Sequence, residues 1–358
     1  MLADGGCGRI GQHRILHRLI DLAAGVLRFL RQRVRWHRVG VVVCLAIIGI
    51  AFWTLYGLLQ NVDIGKVGSS IAAMPPHRIA IAALCVACAY FTITFYDYFS
   101  LHTIGRGDVP YRIAALAAFA GFTIGHNVGA TVFTAGAIRF RIYSPYGLTL
   151  VDIARIAFIT GLTFWLGNAF VLGCGMLIHP EAASAIDRLP EWGNRTIAAA
   201  GLLSIAGYLV WLTRGPRNIG GDGWRVNLPS ARLTLVQILI GVLDLGLAGL
   251  AMWMLMPDAP AIDYPSLLVA FVLATLLGFI SHAPGAIGVF DAAMLIALPQ
   301  FAKEEMLASL VIFRLVYFVI PFGVAVLTIT IHELRLGFRK TAARRDYSGT
   351  APSPAGEK

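Results

Sequence analysis

Arg155 and Arg314, Asp97 and Asp244, and His126 and His282 are ionisable or polar residues set in otherwise apolar stretches of the chain. An ionised group at the centre of a bilayer costs ~2.5 kcal/mol or more on insertion scales, so each needs a physical reason. Arginine binds phosphate through a planar fork and stays charged when partly desolvated. Arg155 and Arg314 therefore read either as partners of a lipid phosphate or as halves of internal ion pairs, Arg155 with Asp152 and Arg314 with Asp244. Arg139 and Arg141 lie just past the first glycine-rich apolar segment, at the inner interface, ready for anionic headgroups or as ordinary loop charge. Asp97, Asp244 and Asp291 offer carboxylates to a headgroup amine, with capping of the following helix as the other reading of Asp291. His126 and His282 can donate to a headgroup oxygen, pair across the site or satisfy backbone. No HExxH or comparable spacing is present, so neither a metal nor any other cofactor is expected. Cys85 and Cys88 form a CxxC in an apolar segment with no partner pair, which points to helix packing.

The elements that must position these residues are membrane helices. The 358 residues are 58% hydrophobic and 13% charged, about half the charged fraction of soluble domains, with a mean hydropathy of +0.74. Runs of about 20 apolar residues recur along the chain, enough to cross the hydrocarbon core as helices. Six full crossings are expected, at about 39–59, 79–100, 152–178, 195–213, 233–256 and 307–331. The net charge of +10 sits in the loops and termini, which points to membrane orientation and anionic lipid and away from nucleic acid. The basic segment 1–38 is expected in the cytoplasm, as a surface helix or a plain tail. The segment 333–358 is expected to be a basic, disordered cytoplasmic tail. A transmembrane domain fills 39–332 between them.

Two further apolar segments, about 112–138 and 266–298, are broken by polar residues and by Gly129, Pro284 and Gly285 among others. Counting crossings between basic and acidic loops leaves each entering and leaving on one face, the first from inside and the second from outside. Both are expected to be re-entrant hairpins pointing at each other, with His126, Asn127 and Gly129 at one tip and His282, Pro284 and Gly285 at the other. Ile124–Ala130 and Ile280–Ala286 share the pattern I-x-H-x-x-G-A. With Asp97 and Asp244 before the hairpins and Arg155 and Arg314 after them, the halves 39–178 and 195–332 each read helix, helix, hairpin, helix. Three crossings per half make the second half inverted, the layout of transport folds with midplane sites built from broken helices. The predicted fold is an all-α polytopic membrane protein.

Gly125–Gly129, Thr134–Tyr143, Thr163–Gly167 and Ile280–Phe290 resemble the lysylphosphatidylglycerol synthase transmembrane region, the N-terminal flippase domain of the multiple peptide resistance factor family. The resemblance covers most of 40–332. It implies movement of aminoacylated phosphatidylglycerol between leaflets of a bacterial inner membrane. Full-length members continue into a cytoplasmic aminoacyl-tRNA-dependent synthase domain; this chain ends about 25 residues after its last helix, so no enzyme activity is expected. The second tip departs from the common Pro-Gly-Gly as Pro284-Gly285-Ala286, and Asp291 stands where glutamate is frequent. The leading expectation is a flippase for an anionic or aminoacylated phospholipid. A flippase for a polyprenyl phosphate or glycolipid is the second, and a non-transporting subunit that recruits a separate synthase the third. The expected partners are bilayer phospholipids, with a synthase or a second copy of the chain as further candidates. Enzyme motifs are absent, with no Walker A, no GxSxG and no paired catalytic carboxylates in a soluble stretch, so ATP-driven pumping within this chain is not expected.

Overall fold

The computed structural model describes residues 62–349 except 130, 216 and 222–224, together with Trp53 and Tyr56. The basic segment 1–38 and nearly all of the span expected at 39–59 lie outside the described residues. The described chain is helical: α1 (Ile64–Ala73), α2 (Pro76–Thr103), α3 (Tyr111–Val128), α4 (Thr131–Tyr143), α5 (Leu150–Ile178), α6 (Pro180–Asp187), α7 (Glu191–Thr213), α8 (Ala231–Leu255), α9 (Tyr264–Ser281), α10 (Val289–Ala297), α11 (Lys303–Arg314) and α12 (Ile320–Gly349). A π turn at Leu315–Val319 joins α11 to α12, and a two-stranded hairpin, β1 (Asn218–Ile219) and β2 (Val226–Asn227), lies between α7 and α8.

Local sequence sets the helix starts. Asp63 caps α1 by accepting from the Gly65 amide at 2.8 Å. Thr149 and Asp152 form a reciprocal capping box at the start of α5, and Ser230 and Asp263 cap α8 and α9. Each side chain satisfies an amide that the first turn leaves without a carbonyl. The stretches between the expected crossings also carry structure: α1 and α6 lie in two of them and the β-hairpin in a third.

Among the described residues six helical stretches are long and apolar enough to cross a membrane: α2, α5, α7, α8, α9 and Lys303–Leu334. Five of them contain the described crossings expected from sequence; α9 is the long arm of the second hairpin. Large apolar side chains stand exposed along these helices, such as Phe91 on α2, Leu203 on α7, Leu239 on α8 and Leu327 on α12. Apolar area on that scale belongs against lipid. The last helix runs on to Gly349, past the tail expected from 333. Residues 338–345 hold no Gly or Pro and are mostly good helix formers, so nothing in the backbone chemistry stops the helix there.

Two faces follow from the contacts. Arg78 at the start of α2 pairs with Asp258 after α8 at 2.6 Å, and Tyr96 bonds Asp244, so α2 and α8 run antiparallel. His179 after α5 approaches Asp263 before α9 at 3.7 Å, and Ser309 donates to the Leu255 carbonyl. These groups lie on one face. On the opposite face Arg106 donates to the Tyr146 carbonyl at 2.6 Å, and Arg141 pairs with Glu333. Arg106 also binds Asp108, and this guanidinium holds the Asp108 carboxyl below its ordinary value.

α3 and α4 therefore form an antiparallel hairpin that enters and leaves on the arginine-rich face. Gly121 and Gly125 let its arms close up: a Cβ on Gly125 would meet Thr131 and Ala135 within 3.3 Å. α9 and α10 form the second hairpin, and α6 packs against both of its arms on the opposite face. Gly167 of α5 crosses Gly241 of α8 so closely that an added Cβ would lie 2.7 Å from the facing Cα. Gly249 likewise receives Leu268. Gly241 and Gly249 are thus spent on close packing within the chain.

Candidate functional site

The two hairpins meet tip to tip. Gly129, at φ 85° and ψ −178°, abuts the second tip: a Cβ there would sit 3.4 Å from the His282 carbonyl and 3.5 Å from Pro284. The second tip is more irregular, with His282, Gly285, Ala286 and Gly288 all at positive φ and a 3-10 turn over Pro284–Ala286. Two partly open cavities, of about 60 and about 120 Å³, lie beside this junction and share Phe122, His126, Thr131, Phe164 and Phe279 as walls. Each has room for a few waters or for the end of a lipid headgroup. Non-helical backbone at such depth is tolerated only against protein or water, and the tips satisfy that condition with each other and with the cavities.

The structure places the predicted residues unequally. His126 and His282 both line the smaller cavity. His126 lies against Phe122, with ring centroids 4.2 Å apart, and its Nδ1 is buried without a hydrogen bond. Asn127 is turned back onto its own helix, donating to the Thr123 carbonyl at 2.9 Å. Pro284 and Gly285 form the second tip with His282.

Each predicted phosphate-binding arginine has a carboxylate partner. Arg139 lies within α4, not beyond the hairpin, because the second arm runs on to Tyr143. It is nearly buried and donates through Nε and Nη2 to Asp97 at 2.8–3.1 Å, while Tyr143 donates to the same carboxylate at 2.9 Å. Asp97 is 0% exposed; three donors from two side chains hold it, so it faces no headgroup. Arg141 forms a two-pronged pair with Glu333 at 2.9 and 2.6 Å on the exposed face. Arg155 pairs with Asp152 at 3.1 Å, one helical turn away, as the ion-pair alternative required, and its Nε is buried without a partner. The other alternative, Arg314 with Asp244, does not form. Arg314 reaches Asp291 through Nε and Nη2 at 2.9 and 2.5 Å and donates to the carbonyls of Gly285 and Ala286. Asp291 also accepts from the Gly288 amide at 3.0 Å, capping α10. It is closer in space to Arg314 because the second hairpin folds α10 back beside α11.

Asp244 is left over. It is 5% exposed and lines the smaller cavity. Its Oδ2 accepts from Tyr96 at 3.2 Å, while Oδ1 has no hydrogen-bond partner among the described residues. Among the described residues no basic side chain lies within ion-pair distance of it. Sequence reasoning missed the wall of this site: Phe122, Phe164, Phe279 and Tyr317 were not singled out as site residues, and only folding the hairpins together makes them one surface. It also missed Thr234 and Gln237, which lie on the same face of α8 as Asp244, are 0% and 1% exposed and have side-chain polar atoms without a partner among the described residues. Cys85 is buried and Cys88 exposed, so the CxxC pair faces two environments.

Helices of membrane length, lipid-facing apolar side chains and a broken-helix core decide the broad class. The chain is a multi-pass membrane protein. No known protein-family profile matches it. It is 27% identical over 311 residues to the uncharacterized protein slr0712 of Synechocystis, covering 86% of this chain and 94% of that one. It is 26% identical over 261 residues to the inner membrane protein YbhN of Escherichia coli, covering 70% and 79%.

Proposed function

We propose that this chain is an inner-membrane transporter that moves a phospholipid bearing a headgroup amine, such as an aminoacylated phosphatidylglycerol, between leaflets. The observation that carries the reading is the charge balance of the cavity at the hairpin tips. Among the described residues, the arginines near it, Arg139 and Arg314, are each bound to a carboxylate, and Asp244 is left without a cationic partner. A buried carboxylate without a cation is costly, and a cation brought by the ligand relieves that cost. A polyprenyl phosphate or an unmodified anionic lipid brings only negative charge. The aromatic wall formed by Phe122, Phe164 and Phe279 suits an ammonium at short range. Acyl chains stay outside, since the cavities hold only the end of a headgroup.

The inner-membrane setting follows YbhN's description and the resemblance of the tip sequences to the lysylphosphatidylglycerol synthase transmembrane region. Orientation follows charge: Arg214, Arg217, Arg225 and Arg232 flank the β-hairpin on the face of Arg106 and Arg141, which is assigned to the cytoplasm. The reading gives the chain no synthase activity of its own. The test is lipid translocation in liposomes containing the purified chain. Lysyl-phosphatidylglycerol should cross faster than phosphatidylglycerol and faster than a polyprenyl phosphate. Equal rates, or a preference for the polyprenyl phosphate, would overturn the amine assignment. No movement of any of them would leave a recruiting subunit as the better reading.

A further inference from the structure

Asp244 raises a question that substrate binding alone does not answer: what balances its charge when no lipid is bound. Among the described residues no arginine, lysine or histidine nitrogen lies within ion-pair distance of it. From α2 it faces Tyr96, with Tyr90 further along the same helix; from the π turn it faces Tyr317; from α3 and the end of α9 come His126 and His282. Tyr208 of α7 packs beside Ile238, nearly two turns away on α8. Arg139 is held by Asp97, and Arg314, closing α11, is held by Asp291 and two carbonyls. α5 contributes Phe164, and α9 contributes Phe271 and Thr275, none of them titratable. A carboxylate in such a setting is neutral unless a cation arrives.

We propose that Asp244 exchanges one proton for one ammonium group, making the chain a proton–lipid antiporter. The inference rests on the transport reading above and extends it to the energy source. In the empty site the Asp244 Oδ–H bond is intact and Tyr96 remains its neighbour. When the headgroup ammonium enters, that O–H bond breaks, the proton leaves through cavity water to the face then open, and the carboxylate pairs with the ammonium. The cavity keeps the same net charge before and after. On the other face the ammonium departs and a proton from that side re-forms the O–H bond. One positive charge moves each way, so a pH gradient drives the lipid while this exchange adds no net charge.

The test uses the full chain in liposomes with lysyl-phosphatidylglycerol as probe and a pH dye in the lumen. Lipid movement should be accelerated by a pH gradient and accompanied by about one proton in the opposite direction. In detergent, adding the lipid to wild-type protein in weak buffer should release protons, and apparent affinity should rise by up to about tenfold per pH unit while the empty site is protonated. Asp244→Asn should lose both proton release and gradient-driven movement, and Asp244→Glu should restore them. If lysyl-phosphatidylglycerol moves at a rate indifferent to the gradient, or Asp244→Asn keeps gradient-driven movement, the exchange is wrong while transport stands. If no lipid moves and no proton is released, both readings fall. The wild-type proton-release measurement decides the matter even if a variant does not fold.

Discussion

The two hairpins have related tip sequences and opposite directions, yet they solve their charge problem with reversed signs. In the first, the base is on the hairpin arm, Arg139, and the acid on a neighbouring spanning helix, Asp97. In the second, the acid is on the arm, Asp291, and the base on the neighbour, Arg314. The first pair is sealed, with side-chain exposures of 10% and 0%; the second is partly open at 20% and 11%. The first ties an arm to its scaffold. The second also holds two tip carbonyls, so it fixes the shape of the tip itself. The repeat is therefore one of backbone and not of charge, and the mismatch leaves Asp244, the counterpart of Asp97, without an arginine. Among the described residues, the asymmetry leaves Asp244 as a buried carboxylate with no ion-pair partner, which is what the proposed ligand role rests on.

The sealed pair should give the largest effect. Arg139→Gln strands Asp97, and Asp97→Asn strands Arg139; breaking a buried pair from one side costs ~3–5 kcal/mol. Either variant should lose thermal stability in detergent, and the double variant should recover most of it because neither charge remains. If the single variants are as stable as wild type but stop moving lipid, Arg139 binds phosphate in some state of the protein and the comparison fails at its strongest point. Arg314→Gln should cost less, about 1.5–3 kcal/mol, the worth of charge-assisted hydrogen bonds, because that pair is partly open. Its further consequence should be a loosened second tip, seen as faster hydrogen exchange at the amides of Ala286 and Ile287 with the first tip unchanged. Equal loosening of both tips would show that they behave as one unit.

Much of this was legible in the sequence because length and hydropathy act locally. The apolar runs gave the described crossings, and loop charge gave the parity that made both broken segments hairpins. Partner choice was not legible. Asp244 and Asp291 are both acids upstream of Arg314, and only the fold-back of α10 brings the second of them to the guanidinium. Arg139 read as an interface charge because the arm was ended at 138; the helix runs to Tyr143, which turns Arg139 onto α2. The cavity wall was invisible for the same reason, since Phe122, Phe164 and Phe279 come from three helices and share no sequence pattern.

The tips differ in how strictly they need glycine. Gly129 has a backbone conformation essentially closed to other residues, and strain there costs ~1–3 kcal/mol. Ala286 sits at φ 51°, in the left-handed region that alanine occupies at ~1–2 kcal/mol. Its Cβ fills the space left by Gly278, which offsets part of that cost. Gly129→Ala should therefore destabilise by about 1–3 kcal/mol, whereas Ala286→Gly should shift stability by no more than about 1 kcal/mol. Thermal unfolding of the two variants side by side checks this. A larger loss from Ala286→Gly than from Gly129→Ala would mean that the Ala286 methyl, and not the backbone, holds the second tip.

The smallest effect belongs to Arg141. Its side chain is 68% exposed and its partner Glu333 34% exposed, on the face assigned to the cytoplasm. An exposed ion pair contributes ~0–1 kcal/mol, and salt weakens it further. Arg141→Gln should thus leave stability within about 1 kcal/mol of wild type, in sharp contrast to Arg139→Gln two residues away on the same arm. Exposure also makes Arg141 the predicted phosphate residue best placed to exchange its carboxylate for a lipid phosphate. If it does, Arg141→Gln should slow lipid loading from the cytoplasmic leaflet, and Arg141→Lys should recover it only in part, because the ammonium lacks the two-pronged fork. Raising salt should reduce the wild-type rate toward that of the Gln variant. Should Arg141→Gln match wild type in rate at every salt concentration, the pair with Glu333 is ordinary surface chemistry, and lipid recognition is confined to the cavity around Asp244.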